Sequence, residues 1–201
     1  PGSGGGRSGS GAGGGQIALS VTGELRVDGE LTARGADGDG GGSGGGIRID
    51  AGTFAGLGVV SVDGGDTTVF DSGGGGGGRL AVYTDTNSFT GGLLACGGQG
   101  KQTGGAGTVY VKVASETYGT VFVDNCGNLA AVTPIGGEDV FDLDIRNGGN
   151  VYTIASQTVD NLAVGPNGWI SHFAEEELGV DLTVLSDATV EFAGHINADG
   201  K

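Results

Sequence analysis

Two cysteines are the residues of this chain whose type and spacing most clearly predict a covalent contact. Cys96 and Cys126 lie 30 residues apart, close to the period of the strand repeat described below. Neighbouring coils of such a repeat bring Cα atoms within disulfide range, and a disulfide would indicate an oxidising, extracellular compartment. Two buried free thiols are the alternative. A zinc site is not expected, because neither cysteine has a Cys or His close to it in the sequence.

Acidic residues gather in the predicted turns, where their oxygens could bind Ca²⁺. The groups are Asp37 and Asp39, then Asp63, Asp66 and Asp71, then Glu138, Asp139, Asp142 and Asp144, and finally Glu175, Glu176 and Glu177. The segment GADGDGG at 35–41 resembles the calcium-binding nonapeptide of RTX β-rolls, but it lacks the GGxGxDxUx spacing of that motif. We therefore expect solvated turn acids and no cofactor, with Ca²⁺ binding as the alternative.

The basic residues do not predict a catalytic site. Enzymes that cleave polysaccharides on a parallel β-helix combine paired carboxylates with Arg or Lys on one face. The basic residues of this chain are scattered, and none lies one repeat from a matching acid pair: Arg48, Arg79, Lys101, Lys112 and Arg146. His172 and His195 are isolated, so each is expected at a surface or turn position. We expect no catalytic residue, no metal ligand and no enzyme activity.

The composition excludes several classes of function. Of the 201 residues, 49 are glycine and 3 are proline, yet 36% are apolar and occur in short segments rich in Val, Leu and Ile. That combination indicates an ordered chain with a core. A net charge of −15 with only 9 Lys and Arg residues leaves no basic surface for nucleic acid. No run of 18 apolar residues is present, so no membrane span is expected.

Four glycine runs are each followed by a predicted strand, and these strands define a repeat of about 30 residues. The apolar positions of the first strands are Ile17/Leu19, Ile47/Ile49, Leu80/Val82 and Val109/Val111. A second strand follows each, at Leu31/Ala33, Val60/Val62, Leu93/Ala95 and Val121/Val123. Between the two lies a third apolar point, such as Leu25/Val27, Phe54 or Phe89. Three short strands per ~30 residues are typical of one coil of a parallel β-helix.

The spacing changes in the second half of the chain. Three strand–turn–strand segments begin at Leu143, Leu162 and Leu182, 19 and 20 residues apart. Their turns carry the Gly, Asn, Asp or Pro that tight reversals need. We predict shorter coils of the same solenoid, with a β-hairpin meander as the alternative. One or two helical turns are predicted at 171–178, between an N-capping serine and a glycine stop.

The glycine runs fall at one phase of the repeat, at 4–15, 38–46, 73–78 and 97–107. Ordering them is costly, since glycine loses more backbone freedom than any other residue. One interpretation is that the glycine runs are flexible surface loops. The common phase favours another, in which the runs stack as extended, polyproline-II-like strands whose backbones touch because no Cβ intervenes.

The two ends of the sequence, when joined, repeat a pattern found inside the chain. The C-terminal HINADGK, joined to the N-terminal PGSGGGRSGSGAGGGQIALSV, repeats the order of residue types found within 31–50. We interpret the chain as one unit of a tandem array, because head-to-tail stacking would cover the exposed strand edges of each unit. Roughly seven coils spaced ~4.8 Å apart predict an axial length of ~30–35 Å.

Three segments within residues 40–113 resemble the glycine-rich β-helix repeats of giant secreted and cell-surface proteins: GGGSGGGIRIDA, GGGGGGRLAVYTDTNSFTGGLLACGGQG and GGAGTVYVKV. The resemblance implies an extracellular structural or adhesive role and specifies no catalytic residue. The shorter coils of residues 114–193 lie outside it.

We therefore predict an all-β fold, a right-handed parallel β-helix (β-solenoid) with stacked glycine-rich loops. Residues 1–127 are assigned to coils of about 30 residues, and residues 128–201 to coils of about 20 that lead into the next unit. The expected function is a structural repeat unit of an extracellular filament, stalk or surface appendage, whose partners are its own copies. The alternative is a carbohydrate-binding adhesin segment that contacts cell-surface polysaccharide, for which Trp169 with Phe173 could supply stacking rings.

Overall fold

The computed structural model of this chain describes residue 2 and residues 9–129, 131–172 and 179–199. Within those residues the fold is all-β, without helix, and parallel coils stack into a β-solenoid of about six turns. This confirms the predicted fold class, with one coil fewer than the sequence spacing indicated. The helical turns predicted at 171–178 fall largely outside the described residues, and Ser171 itself belongs to a strand.

Seventeen strands make up the described part of the chain. The strands of the first half are β1 (Gln16–Arg26), β2 (Glu30–Thr32), β3 (Gly46–Gly56), β4 (Val59–Ser61), β5 (Arg79–Phe89), β6 (Gly92–Leu94) and β7 (Thr108–Val113). Those of the second half are β8 (Thr120–Asp124), β9 (Thr133–Ile135), β10 (Asp142–Arg146), β11 (Asn150–Thr153), β12 (Gln157–Val159), β13 (Leu162–Val164), β14 (Trp169–Ser171), β15 (Leu182–Val184), β16 (Ala188–Val190) and β17 (His195–Asn197). The large sheet has the order β1-β3-β5-β7-β8-β10-β13-β16, and the smaller sheets are β17-β14-β11-β9, β2-β4-β6 and β12-β15.

The large sheet begins with β1, β3, β5 and β7 stacked in parallel, so that residues of the same kind form ladders. The inward ladders are Ile17–Ile47–Leu80–Val109 and Leu19–Ile49–Val82–Val111. Alternate residues of a strand point to one face, and the side chains of Ile49 and Val82 are 0% exposed. The structure thus confirms the inward positions that the period-two pattern predicted.

Each of β1, β3 and β5 is eleven residues long, longer than the sequence pattern predicted. These strands continue into the third apolar point of the coil, where Leu25 pairs with Phe54 and the Phe89 ring stacks on Phe54 with centroids 4.5 Å apart. The second strands form a parallel sheet of their own with the predicted partners, which are Leu31, Val60 and Leu93.

The fourth coil departs from the prediction, because the chain reverses its direction after β7. Val121 and Val123 were expected to continue the β2-β4-β6 sheet. They lie instead in β8, which pairs antiparallel with β7 in the large sheet. The later strands β10, β13 and β16 are parallel to β8. The large sheet therefore has four strands that run one way, followed by four that run the other way.

The reversal also moves the core to the opposite face of the large sheet. Directly opposed residues of an antiparallel pair share a face. Val109, which belongs to the first core, opposes Phe122, whereas the outward-facing Tyr110 opposes Val121. Val121 and Val123 pack in a second, separate core. After β7 the strands run in the opposite direction, and the core lies on the opposite side of the sheet. These two changes cancel, and the stack continues along the same axis. Both halves therefore wind with the same hand.

The second half consists of parallel coils rather than a hairpin meander. Leu143 pairs with Leu162, as predicted, but the partner of Leu162 in the next coil is Ala188. Leu182 lies in β15 and pairs with Gln157 of β12, in a different sheet. The prediction that Leu182 begins the next coil in line with Leu143 and Leu162 is therefore wrong. This segment continues the third face of the coil and not the large sheet.

Over the described residues, the backbones of the glycine runs are hydrogen-bonded to one another. The N–H of Gly65 donates to Gly42 at 2.8 Å, that of Gly75 to Gly65 at 2.9 Å, that of Gly98 to Gly75 at 2.8 Å, and that of Gly104 to Gly98 at 2.9 Å. This path zigzags between one column (Gly42, Gly75, Gly104) and another (Gly65, Gly98), which we call the glycine columns. The runs therefore stack, as their common phase predicted.

Candidate functional site

Two clefts that are candidates for a functional site lie at the junction between β7 and β8. Because the core changes face there, the first core ends on one side of the large sheet and the second core begins on the other. The core-end cleft is lined by residues that include Leu93, Leu94, Val109, Phe122 and Arg146. The tyrosine cleft is lined by residues that include Tyr83, Tyr110, Tyr118, Asp139 and Phe141.

A disulfide crosses this junction beside the core-end cleft. Cys96 follows β6 in the first half and Cys126 follows β8 in the second, with their Cα atoms 5.8 Å apart. The sequence placed the pair on neighbouring coils of one uninterrupted stack, whereas in the structure the bond ties the last coil before the reversal to the first turn after it. Asn125 adds a buried link, since its Oδ1 accepts the N–H of Gly97 at 2.7 Å and its Nδ2 donates to the carbonyl of Gly104 at 3.3 Å.

Removing the disulfide should destabilise the whole solenoid. A Cys96→Ser/Cys126→Ser variant loses the cross-link between residues 30 apart, and the free energy of unfolding should fall by about 3–4 kcal/mol. Urea unfolding of the variant and of the wild type, with and without reductant, measures this loss. The reduced wild type should match the variant. A variant as stable as the oxidised wild type would show that the junction does not depend on the bond.

The core-end cleft combines apolar side chains with a few polar ones, and the cation at its rim is already paired. Its volume is about 380 Å³. Arg146 lies over the Phe122 ring at 5.3 Å and contacts Asp124 at 3.5 Å and Asp144 at 3.6 Å. Because two carboxylates engage its guanidinium, Arg146 offers no free cation to an anionic ligand. We therefore assign this cleft to the end of the first core.

The tyrosine cleft combines aromatic walls with one carboxylate, and its volume is about 470 Å³. The rings of Tyr83 and Tyr110 meet at 57°, with their centroids 5.5 Å apart. Tyr118 precedes β8, whereas Asp139 and Phe141 precede β10, so the chain reversal brings these three side chains to the outer face of the first half. The cleft therefore exists only because the two halves meet here.

Several turn carboxylates accept hydrogen bonds from the next coil, a role that the sequence analysis did not predict. Asp37 Oδ1 accepts the N–H of Asp66 at 2.8 Å, and Asp66 Oδ1 accepts the N–H of Gln99 at 2.6 Å. Asp63 Oδ1 accepts the N–H of Cys96 at 2.7 Å. These acids are links between coils rather than merely solvated. Over the residues that the structure describes, no three His, Cys, Asp or Glu side chains are grouped as metal ligands.

Asp63→Ala should lower the free energy of unfolding by about 1–3 kcal/mol, because the buried N–H of Cys96 loses its acceptor. The hydroxyl of Ser61, which donates to Asp63 at 2.7 Å, loses its acceptor as well. Asp63→Asn is the matched control, since it keeps a side-chain oxygen in the same place and should cost less. Chemical unfolding of both variants tests this, and equal losses would show that the inter-coil bond is not the cause.

The basic residues do not converge on one surface. Arg48 pairs with Asp50 at 2.8 Å, and Lys101 pairs with Asp71 at 2.7 Å. Lys112 donates to a backbone carbonyl of the loop that follows β7. Each of these cations is thus held by an acceptor of its own.

The second half carries a separate aromatic pair on its surface. Trp169 stacks on His195, its register partner in the next strand, with ring centroids 3.8 Å apart. Phe173, which the sequence analysis joined with Trp169 as a possible platform for a sugar, lies outside the described residues, as do Glu175, Glu176 and Glu177. Trp169 therefore belongs to a ladder between β14 and β17 and not to the tyrosine cleft.

In the part of the chain that the structure describes, no helix is long and apolar enough to cross a membrane. No family model, curated protein or solved structure matches this chain. The likeness to glycine-rich β-helix repeats is thus an expectation from the sequence alone.

Proposed function

We propose that this chain is a structural unit of an extracellular filament, stalk or surface appendage, in which copies stack end to end along the solenoid axis. One observation carries the proposal: core residues are left exposed at the end of the stack. Val190 and Ile196 continue the interior rows of Val164 and Ile170, which are 0% and 1% exposed, yet they are themselves 49% and 48% exposed. A further coil laid on them would bury both rows.

Over the described residues, the opposite end of the stack also leaves rows of the core partly exposed. Ile17 and Leu19 of β1 continue the rows of Ile47 and Ile49, which are buried, but are themselves only half-buried. β1 and β16 are the edge strands of the large sheet. An edge strand presents unpaired N–H and C=O groups to another chain. Pairing β16 of one copy with β1 of the next would satisfy both edges.

The chain reversal determines the symmetry of such a filament. For the winding to continue, β1 of the next copy must run parallel to β16 and place its core on the same face of the sheet. Both conditions hold if the next copy is rotated by half a turn about the axis. Eight strands spaced about 4.8 Å apart give a rise of about 38 Å per copy, so the filament would repeat every two copies, at about 77 Å.

Charge and covalent chemistry support the same proposal. A net charge of −15 makes parallel filaments repel one another sideways, while the apolar ends remain free to associate. The disulfide between Cys96 and Cys126 fits an oxidising compartment. No described feature of the clefts requires a reaction, so a mechanical role is the simplest function for the fold.

The exposed apolar rows provide the test. A Val190→Glu/Ile196→Glu variant should stay monomeric, because stacking would bury two unpaired charges. Leu57→Glu is the matched control, since Leu57 is 73% exposed in the turn between β3 and β4, away from both ends, and this variant should assemble like the wild type. Sedimentation velocity over a range of concentrations measures assembly, with circular dichroism to check the fold. A double variant that assembles as well as the wild type would overturn the proposal.

A further inference from the structure

We propose that the tyrosine cleft binds a neutral glycan chain. Its volume of about 470 Å³ lies within the ~300–1,000 Å³ of small-molecule sites. Three tyrosines, a phenylalanine and one carboxylate line it: Tyr83, Tyr110, Tyr118, Phe141 and Asp139. A sugar ring has apolar C–H faces and a rim of hydroxyl groups. Aromatic faces combined with a few hydrogen-bonding groups complement that chemistry.

The first wall of the cleft, the Tyr83 ring, is held in place from outside. The Arg48 guanidinium lies 4.4 Å from the ring centroid, and two hydrogen bonds of 2.8 and 2.9 Å fix it to Asp50. These bonds also keep the pKa of Asp50 below its usual value. Ala81 lies between Arg48 and Tyr110 in the ladder, and its small side chain leaves room for both groups to reach Tyr83.

The second wall, Tyr110, depends on a glycine in the loop before β8. A Cβ at Gly119 would lie closer than 3.0 Å to the Tyr110 ring and hydroxyl, so a larger residue would displace the ring. Burial, with smaller contributions from Tyr83 and Asp139, raises the pKa of Tyr110. The Tyr110 hydroxyl can donate a hydrogen bond, whereas the exposed Asp139 side chain offers acceptor oxygens. Sugar hydroxyl groups require both kinds of partner.

The charges around the cleft favour a neutral ligand over an acidic one. The chain carries a net charge of −15, and Asp139 adds a local carboxylate, so uronic-acid or sulfated polysaccharides would be repelled. The nearby cations are engaged, Arg48 by Asp50 and Lys112 by a backbone carbonyl. A quaternary ammonium ion also suits an aromatic site, but the phenol hydroxyls and the size of the cleft favour a larger, polyhydroxylated ligand.

The inference is independent of filament assembly, because a single copy contains the whole cleft. All the lining residues lie between Tyr83 and Phe141, away from both ends of the stack. A monomeric protein should therefore bind the glycan as well as an assembled one does, and the two proposals can fail separately.

Titration of the monomeric Val190→Glu/Ile196→Glu protein tests the inference. The probes are neutral oligosaccharides of glucose, mannose and galactose, with polygalacturonate and choline for comparison. We expect at least one neutral class to bind by calorimetry and to shift the ring resonances of Tyr110 and Tyr118. Tyr118→Ala and Asp139→Ala should each raise Kd at least about tenfold. Phe70→Ala, which removes an aromatic residue 90% exposed outside the cleft, should leave Kd unchanged.

Three results would overturn the inference. One is the absence of binding by every neutral oligosaccharide. Another is tighter binding of polygalacturonate or choline, which would make the cleft a site for an anion or a quaternary ammonium ion. The third is unchanged affinity in Asp139→Ala, which removes the acceptor at an exposed position and should fold normally; that result would place binding elsewhere on the solenoid.

Discussion

Replacing Gly75 with alanine should lower the free energy of unfolding by about 3 kcal/mol or more, because the new side chain has no space. Gly75 is buried in the glycine columns, where it donates to Gly65 at 2.9 Å and accepts from Gly98 at 2.8 Å. A Cβ here would lie closer than 3.0 Å to the carbonyl of Gly42 in the preceding coil. The obstacle is backbone, so neither coil can move aside without breaking its own hydrogen bonds.

The adjacent glycine provides the matched control. A Cβ at Gly76 would meet only the carbonyl oxygen of Gly105, 3.8 Å away, at ordinary contact distance. Gly76→Ala should therefore raise stability by about 0.4–1 kcal/mol, because alanine restricts the unfolded chain. Urea unfolding of the two variants measures the difference. If both are equally stable, the glycine columns do not pack as described.

Val82→Asp should unfold the first half of the solenoid. Val82 is 0% exposed and lies between Ile49 and Val111 in the inward ladder. A carboxylate at this position would be buried without a partner, which costs several kilocalories per mole or forces the coil open. Val111 is only half-buried, so Val111→Asp should be less damaging. We expect the cooperative thermal transition of Val82→Asp to be lost or moved far below that of the wild type.

Thr86→Asp is the control for the buried charge. Thr86 lies in the same strand as Val82, but its side chain is exposed, so the new carboxylate stays in water. Melting followed by circular dichroism should give the wild-type midpoint for Thr86→Asp. A wild-type midpoint for Val82→Asp as well would mean that the ladder does not face the interior.

The stacking of the first half could be predicted from the sequence because one coil length separates each inward residue from the next. Ile47, Leu80 and Val109 follow their glycine runs at nearly constant distances, and they pair in the register that this spacing implies. The acids follow the same rule. Asp37 and Asp66 are one coil apart, and the carboxylate of the first accepts the N–H of the second. The spacing could therefore have revealed these links between coils.

The chain reversal could not be predicted from the pattern of apolar residues. Alternation at Val121 and Val123 identifies a strand with one buried face, but it is identical for either direction and either side of the sheet. Only the partner strand decides between these arrangements, and that partner is β7. Leu182 was misassigned for a related reason, since a short Leu-x-Val strand fits any face of the coil.

The tyrosine cleft could not be predicted from the sequence, because it depends on that reversal of the chain. Tyr83 and Tyr110 occupy outward positions of successive first strands, so their proximity could have been inferred from the repeat. Asp139 and Phe141 reach them only because the chain reverses after β7 and the second half winds on the opposite side of the large sheet. Residues brought together by a change of direction carry no common period in the sequence.

Imaging of assembled protein tests the central claim most directly, namely that the coils of this solenoid continue from one copy into the next. Cryo-electron microscopy of concentrated wild-type protein should show filaments with a strand spacing of about 4.8 Å along the axis and a rise of about 38 Å per copy. Successive copies should be related by half a turn. Closed two-copy particles, or discrete monomers at every concentration, would contradict the account.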